Sequence, residues 1–463
     1  MKKIISVLLS LVMVMPFIRM SDTKAINFSL KKSIQSESAI LMNLDSDMII
    51  HEKNADTKQM PGTLVNIMVA VVVLEKCRNL SEEITMSSSL YTEIENTPYT
   101  SDLCFIDIVD GDILSISDLL YAMMLTSSME ASQTLANRVG EGSIEKFVGM
   151  MNDKAKEIGM TSTHFTNPTG LYDENQYTTA RDMAILTKYA LSVPLFDTIS
   201  STYKYNPAVP NIEHHPDHNS WFWYNVNPMF DPESEYYYKG TRGIKTANLE
   251  MSGRNIVAMA SRDGNNYLAV LLRSPFSDSY GNTTYYHLDD AEYLFDWAFR
   301  HFSYQTVLSE SAEIGEIPVS LAEGNDYVLA KPKEEISLLW YDEVDISTIN
   351  KNSIKWFRTS LQAPVEKGEL LGELTLKYSG EEIGKVDIVA VSDVKRSWGK
   401  YNLFAASMFP KSNWFRKALI ISGILCAIYI LMCIYSFVVF KSKSKPLKPR
   451  YTVPKIENKK KKK

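Results

Sequence analysis

Residues 61–74 read Pro61-Gly62-Thr63-Leu64-Val65-Asn66-Ile67-Met68-Val69-Ala70-Val71-Val72-Val73-Leu74. From Leu64 onward the run is apolar on every side. That predicts a helix buried all round in a domain core, because a surface helix keeps a polar face. Working outward, residues 38–50 (SAILMNLDSDMII) predict two short strands about a turn at 44–47. Helices are expected over 117–124, 130–139, 144–158 and 179–191. In the third of these, Ile144, Phe147, Val148, Met151, Ala155 and Ile158 recur at helical spacing, with Gly159 as the stop. Strands are expected over 255–260 and 267–272 around an Asp263-Gly264 turn, then an amphipathic helix over 289–302. After Ser303 the pattern changes to short alternating strands broken by Pro364 and Gly368. The expected fold class is therefore α/β over 26–302, followed by a small all-β domain over 303–397.

The ends place the chain at a membrane. Residues 1–25 have a basic start, a short apolar run and a small residue at the exit, as a secretory signal does. Residues 418–440 carry no charge and are long enough to cross ~30 Å of hydrocarbon. Residues 398–417 form the juxtamembrane stretch. Residues 441–463 form a basic tail of roughly +10, which leaves about −16 on the rest of a chain whose net charge is −6. Positive residues stay inside, so the tail is expected to be cytoplasmic and the body extracellular.

With 45% hydrophobic residues, 20 Gly and 18 Pro in 463 residues, a collagen-like or wholly disordered chain is excluded. The acidic body gives no case for nucleic acid. Of four cysteines, Cys426 and Cys433 fall in the span; Cys77 and Cys104 read as two buried thiols, and no zinc spacing occurs. His214, His215 and His218 with Glu213 and Asp217 read as a solvated loop. Trp221 to Tyr224 read as helix or loop packing, and Tyr236 to Tyr238 as candidates to line a groove.

An ordered series of motifs carries a resemblance. Pro61 to Met68 is similar to P-A-S-x-T-K-I-M. Residues 155–160 (AKEIGM) and 163–171 (THFTNPTGL) resemble A-K-x-L-G-M and T-x-F-x-N-P-x-G-L. Residues 178–184 (TTARDMA) resemble S-T-A-R-D-M-A, and Asn225-Val226-Asn227 resembles N-x-N. Together with Ala363-Pro364-Val365 and Lys367-Gly368-Glu369, they resemble the D-alanyl-D-alanine carboxypeptidases, low-molecular-mass penicillin-binding proteins of peptidase family S11. The resemblance implies a beta-lactamase/transpeptidase-like domain over 26–302. It also implies peptidoglycan stem peptide as ligand, with no cofactor and no metal.

The family's chemistry rests on three boxes, S-x-x-K, S-x-N and K-T-G. Its serine attacks the peptide carbonyl while the lysine one helical turn on takes the proton. The chain departs at each box. Thr63 stands at the nucleophile position, with an added methyl and a stiffer χ1. Asn66 stands at the base position and accepts no proton at working pH. The second box reads Ser127-Ser128-Met129, with a thioether for the amide. The third reads Lys245-Thr246-Ala247, with a methyl on the strand that approaches substrate. Ser127, Lys245 and Thr246 are kept. The expectation is a catalytically degenerate homologue, anchored in the membrane, that binds stem peptide or a cell-wall protein. The alternative is an active carboxypeptidase using Thr63.

Overall fold

The computed structural model describes residues 28–208, 214–217 and 221–443. The expected signal sequence, His218, Glu213 and most of the basic tail lie outside them. The chain divides into two compact units. One comprises residues up to 309 with 335–353 and 375–385. The other comprises 310–334, 354–374 and everything from 386 onward.

The first unit is built on a five-stranded antiparallel sheet. Its strands are β1 (Ser38–Asn43), β2 (Ile49–Lys53), β3 (Thr241–Leu249), β4 (Gly253–Arg262) and β5 (Asn265–Ser274), in the order β2-β1-β5-β4-β3. Alternation along the strands splits the core in two. Ile40, Met42, Val257, Met259, Leu268 and Val270 face a helical layer. That layer is α1 (Asn66–Lys76), α2 (Ile116–Thr126), α3 (Met129–Val139), α4 (Ile144–Ile158) and α5 (Ala180–Ser192). Leu41, Ile256, Ala258, Ala269 and Leu271 face α6 (Tyr286–His301) on the other side. The run that opened the reading is α1, and its residues from Asn66 to Val73 are all buried.

Local signals set the helix ends. Ser115 and Asp118 form a capping box on α2, Thr179 caps α5, and Gly159 ends α4 at φ 91°. In the same unit, Phe302–Leu308 pairs antiparallel with Ile336–Tyr341, and the Phe28 ring packs on Phe302, Trp340 and Tyr341.

In the second unit, Gly315–Ser320 pairs antiparallel with Tyr327–Pro332 and parallel with Leu361–Gln362. Ile317, Val319, Val328, Ala330 and Ile388 are buried there. The juxtamembrane stretch contains a helix, Trp398–Met408, capped by Ser397, with none of its residues buried. It is followed by the helix Asn413–Lys443, none of whose apolar window is buried and which is long and apolar enough to cross a membrane.

Candidate active site

Thr63 sits in a 3-10 turn, Gly62–Val65, that leads into α1. Gly62 has φ +56°, and a Cβ there would lie 2.8 Å from Ser252 Oγ and 3.2 Å from Ala247 Cβ. The absent side chain lets the turn press against β3. Across that contact Thr63 Oγ1 donates to the Thr246 carbonyl at 3.2 Å. Asn66 opens α1. Its Nδ2 donates to Ser132 Oγ and to the Pro168 carbonyl, both at 3.3 Å, while its Oδ1 is buried with no partner. Ser132 Oγ itself donates to Pro168 O at 2.5 Å. Asn66 therefore braces the 168–171 loop; its backbone N–H donates to the Thr63 carbonyl, and among the described residues no hydrogen bond joins the two side chains.

Ser127 ends α2 with φ 63°, and Lys245 Nζ donates to its hydroxyl. Lys245 lies on the edge strand β3 opposite Val257, with Thr246 opposite Ile256 and Ala247 opposite Asn255. Burial pushes the Lys245 ammonium down to about 7, with a smaller opposing effect from Cys104. Met129 starts α3, its N–H donating to the Cys104 carbonyl at 2.9 Å, and its side chain packs with Tyr91, Ile94 and Leu171. The structure thus gathers Thr63, Asn66, Ser127, Met129, Lys245, Thr246 and Ala247 beside β3, and each is 6% exposed or less.

Gly170, at φ +85°, lies across the turn: a Cβ there would meet Gly62 O at 2.3 Å and Thr63 N at 2.7 Å. The adjoining cavity, lined by Gly62, Asp102, Gly170, Tyr172 and Ser252, measures about 10 Å³. That is room for about one water molecule. Chemically, the centre offers a threonine hydroxyl that already donates to a carbonyl. It also offers an amide where a base would stand, and a proton-exchanging Lys245 whose partner is Ser127.

The sequence reading missed two side chains here. Ser132 is the partner of Asn66. Glu130 is 1% exposed; its Oε1 accepts from Ile106 N at 2.7 Å, and Oε2 has no partner. Burial pushes the Glu130 carboxyl up to about 7. An acid in the first turn of a helix reads as an exposed dipole partner, and only packing reveals its burial.

Three other expectations are met in part or not at all. His214 and Asp217 are exposed, as a solvated loop requires, but His214 Nδ1 and His215 Nε2 each also lie 2.8 Å from the fully buried Asp112 carboxylate, which ties the loop down. Trp221 and Trp223 pack into the core as expected, their indoles donating to Asp107, but residues 223–224 do so as a short strand paired with 204–205 rather than as helix or loop. Tyr236 and Tyr238 pack on the α6 side of the sheet, where the Tyr238 hydroxyl meets Asp296 at 3.0 Å, so they line no groove beside Thr63. Cys77 and Cys104 are unpaired thiols, as expected, but half-buried.

Comparison with known proteins places this geometry. Residues 24–275 match the model of the D-alanyl-D-alanine carboxypeptidase family, peptidase S11, and residues 302–396 match the C-terminal domain of penicillin-binding protein 5. The chain is 25% identical over 363 residues to the D-alanyl-D-alanine carboxypeptidase DacF of Bacillus subtilis, covering 78% of this chain and 87% of that one. It is 26% identical over 395 residues to DacC of Escherichia coli, covering 83% and 90%. The crystal structure of the carboxypeptidase DacD from Francisella tularensis shares the fold, with a TM-score of 0.59 at 20% identity over 81% of this chain and 97% of that one. With an N-terminal α/β peptidase domain and a C-terminal β domain, the chain belongs to the D-alanyl-D-alanine carboxypeptidase family of cell-wall penicillin-binding proteins.

Proposed function

We propose that this chain is a membrane-anchored, non-acylating member of the family, a binding module of the cell wall that holds stem peptide or a cell-wall protein. One observation carries the reading: the Thr63 hydroxyl donates to Thr246 O, while the base position one turn on is an amide engaged with Ser132 and Pro168. A hydroxyl without an adjacent base is a poor nucleophile. Loss of one member of such a unit costs about 10⁴ to 10⁶ in rate. The burial of all seven family positions supports the same reading.

In this reading residues 1–25 direct export and the body lies outside. The helix Asn413–Lys443 anchors it, and the basic tail remains cytoplasmic. The second reading, an active carboxypeptidase using Thr63, draws on the retained Lys245–Ser127 contact. Release of D-alanine from a stem pentapeptide separates the two. The proposal expects none above the no-enzyme rate; turnover that disappears in Thr63→Ala would establish the second.

A further inference from the structure

On the sheet face turned away from Thr63, an arginine and a neutral histidine lie together, and no acid pairs with either among the described residues. Arg254 is near the start of β4, where the ladder to β5 is bulged: Arg254 pairs with Ser274 but Ile256 with Leu271, so β5 carries one extra residue. Bulges re-aim neighbouring side chains. The Arg254 guanidinium lies 4.0 Å from the Tyr285 ring centroid and 5.0 Å from that of Phe276. The residue is 7% exposed, its Nε is buried with no hydrogen-bond partner, and it makes no ion pair among the described residues. Stacking on aromatic rings offsets only part of the cost of burying a charge.

His287 stands beside it, 1% exposed, with Nδ1 buried and unpartnered. Burial, then the charge of Arg254, holds this imidazole down to about 3, so it is neutral and retains one N–H donor. His287 is the second residue of α6, a 16-residue helix whose N-cap, Tyr285, provides no side-chain acceptor. The first N–H groups of such a helix attract negative charge. The acids nearby do not meet the arginine. Asp290 accepts from Gln35 N, Ser36 N and Ser36 Oγ. Asp289 is coupled to Lys32, and Glu235 acts on Tyr236 and Asp289.

We propose that Arg254, His287 and the uncapped start of α6 form a binding site for a small oxyanion, a phosphate or a carboxylate group. Tyr285, 38% exposed, covers it from the solvent side. The guanidinium supplies charge and a planar pair of donors, and the imidazole and helix N–H groups complete the coordination. The site lies on the α6 face of the sheet, apart from the family's catalytic positions.

Thermal unfolding of the full-length protein in detergent tests this, with sodium phosphate or sodium acetate replacing chloride at constant ionic strength. The expected result is a saturable rise in Tm with one of the two, which also identifies the oxyanion. Its apparent Kd should weaken at least about tenfold in Arg254→Met and in Arg254→Lys. Arg273→Met, an exposed arginine on the neighbouring strand, should respond as the parent does. A parent that shows no saturable response to either anion, or Arg254 variants that respond as the parent does, overturns the site. Should Arg254→Met fail to fold, broadening of the phosphate ³¹P line, or of the acetate methyl proton line, by the parent but not by Arg254→Lys decides the matter. Equal broadening counts against the proposal.

Discussion

At Asn66 an amide replaces a base; it donates to the Pro168 carbonyl and to Ser132 Oγ, which itself donates to Pro168. A lysine there would have Ser132 Oγ and Pro168 O within reach and would be desolvated enough to lose its proton. Thr63→Ser with Asn66→Lys should therefore matter together and little singly, since nucleophile and base act as a unit. With Met129→Asn and Ala247→Gly added, the four-fold variant should acquire penicillin labelling, read by gel fluorescence. A folded four-fold variant that stays unlabelled would point to a closed groove. Two other buried residues give stability opposite slopes with pH. Lys245 titrates near 7 in the fold against 10.5 unfolded, so between those values the unfolded chain holds the extra proton. Stability then rises with pH through that window, and the cost is fully present below it. Glu130 titrates near 7 in the fold against 4.5 unfolded, so stability falls as pH rises from 4.5 to 7. Glu130→Gln should stabilise by on the order of 1–3 kcal/mol at about pH 8 and by little near pH 4.5. Lys245→Met should stabilise more at about pH 6 than at about pH 10. Urea denaturation at the paired pH values checks both; a gain independent of pH would contradict the assignment. Thr63, Asn66 and Lys245 were legible because each stands in a recognisable box. Glu130 and Ser132 were not, because their roles depend on which face of α3 is covered.

The helices were legible from their apolar spacing, with Gly159 marking an end that the spacing also marks, whereas the Ser115 and Thr179 caps emerged only in the structure. The edge strand β3 was legible only through the K-T-G resemblance. Its residues from Gly243 to Ala247 are buried in succession, so the polar and apolar alternation of a half-exposed strand is missing. The helix Trp398–Met408 was read as a plain connecting stretch because it buries nothing and so shows no clear apolar stripe. The turn that carries Thr63 depends on Gly170, where φ is +85° and a Cβ would stand 2.3 Å from a backbone oxygen. Gly170→Ala should destabilise the protein by about 2 kcal/mol or more, through both the backbone conformation and the overlap. A urea midpoint unchanged from the parent would show that the 168–171 loop is not pressed on the turn.

For the whole molecule, an α/β domain followed by a β domain was legible from the change of pattern after Ser303, and the long apolar C-terminal helix from an uncharged run. Protease added to intact cells should remove the body and leave the 441–463 segment protected, as followed with an epitope tag on the tail. Loss of the tag from outside would reverse the topology. The central claim is that the family fold is kept while its acylation chemistry is gone. Labelling of the full-length protein with a fluorescent penicillin tests it most directly, because acylation by the antibiotic needs the same nucleophile and base as peptide cleavage. The protein should form no covalent adduct, by fluorescence or by intact mass. A stoichiometric adduct that Thr63→Ala abolishes would contradict the claim.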